Sequence, residues 1–300
     1  VKKDKPSVFV EYAKAVINGG KIISENGNGV DCYSAVVDVN GGDIAGIRAL
    51  KLYDKSKAIV IGGHFTGMWY SVVVEKDADA KLVAGRFEVP AGEKAIAVRS
   101  DKYHFKKATE IIASGSVMEP KQEAKLNKDG SVYYSEIEKS FTLRTKISSA
   151  KLSSGSYTYN GKVQTPGVVV KSGKRVLKSG RDYTVSYAKG RKNVGAYNVT
   201  VTGKGNYFGK VNLSFKINPK GTKIKKLYRG FKRFYVKWKK QRTQTTGYQI
   251  IYSRNKKFSK AKVKTVRGNR YTGTNIKRLK RYKRYYVKVR TYKTVSGKRF

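Results

Sequence analysis

The segment Phe231–Lys240, FKRFYVKWKK, alternates with a period of two. Phe234, Val236 and Trp238 fall on one face, and Arg233, Tyr235, Lys237 and Lys239 fall on the other. GYQIIYS places Tyr248, Ile250 and Tyr252 together in the same way, and Tyr285, Val287 and Val289 alternate with Tyr286, Lys288 and Arg290. Such alternation specifies strands with one buried face, and the rest of the chain reads similarly. SVFVEYAKAVI, CYSAVVDVN, KAIVIGGHFTGMWYSVVVE, KLVAGRFEVP and EKAIAVRS follow one another, separated by turn clusters such as ENGNG and NGGD. Valine and the 22 tyrosines favour strands as well. An all-β chain is expected, with at most a short helical turn at KKATEIIASG.

Charge divides this chain in two. Residues 1–144 carry 22 Lys/Arg and 19 Asp/Glu, whereas residues 145–300 carry 44 Lys/Arg and one acid, Asp182. The break marks a domain boundary and two different electrostatic regimes. At 300 residues, two or three domains can bury real cores without disulfide or metal staples. The expected organisation is a near-neutral β-sandwich or jelly-roll-like domain over 1–118 and a polar linker over 119–139. Two further sandwiches follow, over 140–219 and 220–300.

Both basic segments carry resemblances. YTYNGKVQTPGVVVK, followed by DYTVSYAKGRKNVGAYNVTVTGKGNYFGKVNLSFKI, resembles a bacterial immunoglobulin-like repeat of Firmicute (Gram-positive) cell-surface proteins. The order of motifs carries it: TP before a valine run, DYTVSY, NVG, GKGNYFG and a final F-I strand. Residues 220–300 resemble a fibronectin type III domain, with Trp238 late in the second strand and a GYQI-type third strand. Leu279 stands six residues before Tyr285, where that family places its tyrosine corner. The segment after the SGK turn is too short for a full last strand. Together the resemblances imply three tandem β-sandwich-like domains in an extracellular, cell-wall-associated protein.

Several chemistries find no footing. There is one cysteine, Cys32, so no intrachain disulfide forms, and a small buried thiol is expected there. A cytosolic protein and a Gram-positive surface protein both fit that count, and a cleaved mature chain would show no leader at Val1. His64 and His104 are forty residues apart, without zinc-site spacing. DVNGGD and EKDADA lack the closing Glu of a calcium loop and read as turns. No phosphate loop opens a helix; GKGNYFGK lies between strands. Residues 183–300 contain no carboxylate for acid–base work or for an isopeptide crosslink. No cofactor is expected.

Two candidate surfaces remain. The run Asn275–Lys293, NIKRLKRYKRYYVKVRTYK, interleaves nine basic residues with four tyrosines, as nucleic-acid-binding surfaces do. Its inward tyrosine and valines are needed as core, which leaves a basic coat of Lys237, Lys239, Lys240, Arg281, Lys288 and Arg290. Thirty cations between Lys220 and Phe300 with no acid call for a polyanionic neighbour. At a Gram-positive surface that neighbour is wall teichoic acid, with host glycosaminoglycan and extracellular DNA as alternatives and no base-specific recognition. In GGHFTGMWY, the side chains of His64, Phe65, Trp69 and Tyr70 are candidates for a glycan-stacking platform, or else a bulged strand with Trp69 in the core. The expected function is non-catalytic adhesion. The N-terminal domain meets a glycan or host protein, and the basic domains serve as spacer and electrostatic anchor. The competing expectations are a wall-associated glycan or peptide hydrolase and a featureless stalk.

Overall fold

The computed structural model describes residues 5–100, 106–129 and 132–300, and they form an all-β chain whose described helix is a single 3-10 turn, Ala108–Ile111. No helix among the described residues is long and apolar enough to cross a membrane. The chain forms two compact units. The first holds residues 1–149, 170–184 and 202–210; the second holds 150–169, 185–201 and 211–300.

In the first unit, strands pair in parallel with the strand one coil later. Val8 lies beside Val30, Val30 beside Leu50, Leu50 beside Val72, and Val72 beside Ile96, so each coil closes after 20 to 24 residues. A second wall repeats this through Val37, Ala58 and Ala80, and a third through Ile44, Phe65 and Phe87. The result is a three-walled β-solenoid, in which no coil can bury its apolar face without its neighbours. Inward residues stack in columns: Val10, Cys32, Leu52, Val74 and Val98 on one wall are all buried. On another, the rings of Phe65, Phe87 and Phe141 stack at 5.2 and 4.9 Å between centroids. Burial, and secondarily the charge of Asp31, push the Cys32 thiol up to about 12, so it is inert packing material.

One corner explains how the coils turn in step. Gly20, Gly42, Gly63 and Gly85 recur there with φ of 87°, 105°, 119° and 147°, values that side chains rarely tolerate. Just before this corner, the Asn40 amide donates to the Asn18 side-chain oxygen one coil below, at 2.8 Å.

The N-terminal region is therefore all-β, as its alternation requires, but it is wound as parallel coils rather than as the expected sandwich or jelly roll. Inward–outward alternation is identical in both arrangements. What differs is the pairing partner, which lies one coil away instead of across the next turn. The stretch expected as a linker, 119–139, is also corrected. Val132–Ile137 pairs antiparallel with Lys94–Ser100 and carries Lys125–Asp129 on its other edge. Ser135, Glu136 and Ile137 are buried. Phe141–Lys146 then runs antiparallel to Gly85–Glu88, takes Tyr207–Phe208 alongside in parallel, and carries Ser116–Glu119 as the last strand of the sheet.

The second unit contains most of the immunoglobulin-like segment and all of the fibronectin type III-like one. Ser156–Thr158, Lys210–Asn218, Gly195–Gly203 and Tyr183–Tyr187 form a four-stranded sheet with Val199, Phe215 and Ile217 at its core. Further along, Ile224–Gly230, Arg233–Trp238 and Gly273–Ile276 make one three-stranded sheet, and Lys262–Arg267, Gly247–Ser253 and Tyr286–Tyr292 make another. Phe234, Val236, Trp238, Tyr248 and Ile250 fill the space between them, as the alternation requires. Tyr285 packs on this core, and its hydroxyl accepts the Lys280 N–H at 3.1 Å, which is the tyrosine-corner bond that the resemblance implies. After the SGK turn, Lys298–Arg299 folds back on Thr294–Val295 as a two-residue hairpin.

Candidate polyanion-binding surface

Two loops at one end of the fibronectin type III-like segment build the larger site. The first is the tight turn at Phe231 and Lys232, where Lys232 adopts φ 52° so that strands Ile224–Gly230 and Arg233–Trp238 can pair. The second runs from Lys277 to Arg284, between Gly273–Ile276 and Tyr286–Tyr292. Leu279 joins them: its N–H donates to the Lys232 carbonyl at 3.0 Å while its side chain packs on the core.

Between these loops lies an open groove of ≈ 920 Å³. Arg229, Lys232 and Arg233 line one wall, and Lys280, Arg281, Lys283 and Arg284 line the other. The rings of Phe231 and Tyr282 stand out of phase with the strands and remain 70% and 78% exposed. Arg281 is held by both, its guanidinium 5.5 Å from the Phe231 centroid and 4.5 Å from that of Tyr282. Cations gathered within one screening length repel one another unless an anion joins them. Because residues 183–300 contain no acid, this stretch has no carboxylate of its own to offer.

A second concavity, of ≈ 590 Å³, is lined by Lys220, Lys225, Lys239, Lys240 and Arg242 together with Tyr159 and Asn160. The residues singled out from sequence thus separate. Arg281 lies in the first groove, and Lys239 and Lys240 lie in the second. Lys237 is exposed on its strand and lines neither. Lys288 sits over the Phe258 ring at 4.1 Å, and Arg290 donates to Gln249 at 2.8 Å, both on the other sheet. Sequence reasoning missed Arg229, Lys232, Arg233, Phe231 and Tyr282. Their signal is an aromatic at a turn position, flanked by basic residues and outside the period of two.

The glycan platform does not assemble as one face. Phe65 is fully buried in the stacked phenylalanine column, so it cannot touch a sugar. Trp69 is half exposed with the Arg48 guanidinium 5.5 Å from its ring, and it is not core. Tyr70 donates to Glu136 at 3.4 Å; burial first, then the Glu136 charge, raises its hydroxyl pKa. His64 lies against Glu88 through Nε2 and 3.8 Å from Asp43 through Nδ1. The Thr66 hydroxyl lies 3.3 Å from the same Nε2. Burial favours a charged Glu88 less, but His64 and Arg86 outweigh it and bring that carboxyl below its usual range. A shallow cavity of ≈ 450 Å³ beside this wall is lined by Thr66, Met68, Glu88 and Pro90 among others. His104 lies outside the described residues.

These placements separate two neighbouring substitutions. Phe65→Ala should cost about 3–5 kcal/mol of stability, the usual loss for a buried ring. Trp69→Ala should change stability by about 0.5 kcal/mol or less. Urea denaturation of both variants checks this, and equal losses would place Trp69 in the core after all.

No family model matches the chain, and no curated protein does. Among solved structures, the crystal structure of chicken CNTN1 FN1-FN3 domains is similar over 59% of this chain and 84% of that one, at 14% identity and a TM-score of 0.25. So distant a likeness adds nothing to the strand order and tyrosine corner described above, on which the fibronectin type III-like reading of residues 220–300 stands.

Proposed function

We propose that this chain is a non-catalytic surface protein held against anionic wall polymer by its basic part while its solenoid is displayed. The observation that carries the reading is the pair of concavities lined by seven and by five cations, in a stretch whose residues 183–300 include no acid. A flexible polyphosphate such as teichoic acid can follow such a surface by exchanging its counterions for lysine and arginine. No unique pose is needed. On this reading the solenoid contributes the ligand-facing surface, with Trp69 and Met68 among its exposed apolar side chains, and its ligand is a glycan or a host protein.

The test uses the full chain, because the two units share the immunoglobulin-like segment. Binding to purified walls is measured with and without teichoic acid across salt. If six or more phosphates are neutralised, affinity should fall by about 10³ or more between 50 and 200 mM salt, and it should be lost on phosphate-stripped walls. Binding indifferent to both would overturn retention. A glycan array probed with the same chain and with Trp69→Ala tests display, and silence in both would leave a plain stalk.

A further inference from the structure

The first groove holds more than retention requires. A polyol phosphate has charge but no flat face, so lysines alone would serve it. Here two rings project into solvent at the centre of the cation field, Phe231 at 70% and Tyr282 at 78% exposure. Large aromatic side chains are costly to leave in water, and both occupy loop positions where the fold asks nothing of them. Arg281 is held between the rings, near both at 5.5 and 4.5 Å, and is thereby ordered before any ligand arrives. Its Nη2 also donates to the Tyr282 hydroxyl, which leaves the other N–H groups of the guanidinium available to phosphate oxygens.

We propose that this groove binds single-stranded nucleic acid without sequence preference, stacking bases on Phe231 and Tyr282 and drawing the phosphates along Arg229, Arg233, Lys280 and Arg281. Each base offers a π-face and each nucleotide one negative charge, which matches rings set among cations. The walls supply no acid and no amide side chain positioned to read base edges, so discrimination among bases is absent. Duplex DNA keeps its bases stacked internally and engages only the cations. The binding adds to wall retention and does not depend on it, because it turns on the rings.

The experiment is fluorescence anisotropy of the full chain at 150 mM salt, with a labelled twelve-nucleotide single-stranded DNA, the same strand as duplex, inorganic polyphosphate and heparin as probes. The double variant Phe231→Ala/Tyr282→Ala keeps every charge and alters only exposed side chains, and its thermal unfolding is recorded alongside. Single-stranded DNA should bind the wild type more tightly than its duplex. The variant should lose about tenfold or more on single strands, with polyphosphate affinity and salt slope unchanged. Arg281→Ala should weaken both. The inference is overturned if the double variant binds single strands like the wild type. It is overturned equally if heparin alone suffers, which would make the rings a platform for sulfated glycan. Failure of wall binding would leave these outcomes untouched, so the two readings fall separately.

Discussion

Gly67→Ala should abolish the cooperative unfolding transition of the solenoid or move it far down in temperature. An ideal Cβ at Gly67 would sit 1.8 Å from the carbonyl oxygen of Tyr70 and 2.1 Å from its carbon. Both are backbone atoms of the same strand, His64–Val74, at the point where its register against Asp43–Tyr53 shifts, so no rotamer change relieves the clash and the strand would have to open locally. Gly46 pairs with Gly67 one coil earlier and is as confined, its Cβ placed 2.5 Å from the Gly29 nitrogen. Losses above about 4 kcal/mol belong to such backbone conflicts inside packed structure. Gly19→Ala is the control, since nothing lies within 4 Å of its Cβ and its φ is ordinary. Thermal melts followed by circular dichroism should show Gly19→Ala unchanged and Gly67→Ala severely impaired. Equal melting of the two would mean that the strand does not fold back on itself between Gly67 and Tyr70.

Asp182→Asn should cost about 3 kcal/mol, the lower end for breaking a buried ion pair. The carboxylate is 7% exposed and accepts from Arg181 at 2.7 and 2.9 Å and from the Lys178 N–H at 2.8 Å. The low figure is chosen because Arg181 is 54% exposed and keeps part of its hydration. Burial by itself would raise this carboxyl, but Arg181, the Lys178 N–H and Arg175 more than offset it, and its pKa lies below the ordinary 3.8. A depressed folded pKa contributes stability in full above the unfolded value of about 3.9. That contribution disappears as pH falls through the folded value. The gap between wild type and Asp182→Asn in urea midpoint should therefore be constant from neutral pH to about pH 5 and close below about pH 4. A gap that persists in strong acid would assign the loss to packing instead of charge. This one acid also has its oxygens engaged, which leaves it poorly placed for an isopeptide crosslink.

Where alternation alone decides orientation, the sequence was a sufficient guide. Phe234, Val236 and Trp238 point inward because each residue between them is polar or charged, and Tyr285 closes its corner because Leu279 is correctly spaced. Pairing was the part that alternation leaves open. VFVEYAKAVINGG from Val8 and VDCYSAVVDVNGG from Val30 are the same rung written twice, and LKLYDKSKAIVIGG from Leu50 is a third copy with one residue inserted. Aligned, they give the coil length directly; taken as successive hairpins, they give a sandwich. The 119–139 stretch reads as a linker in sequence because its strands lie at a sheet margin and are rich in polar residues. Charge counting marks the basic coat, to which Arg281, Lys239 and Lys240 belong. It could not find the groove, since that depends on Leu279 tying two loops together across the fold. Phe65 is core although it sits in a candidate surface run, because GGHFTGMWY packs its aromatics too densely for sequence to assign each a side.

The rungs also make reach an adjustable quantity. A coil touches only the coil above and the coil below, so inserting or deleting one whole copy, cut at equivalent corner glycines, leaves every remaining contact of the same kind. Each added copy would lengthen the stack by about 4.8 Å, the distance between neighbouring strands. Length in this unit can therefore change in whole coils without repacking the coils that remain.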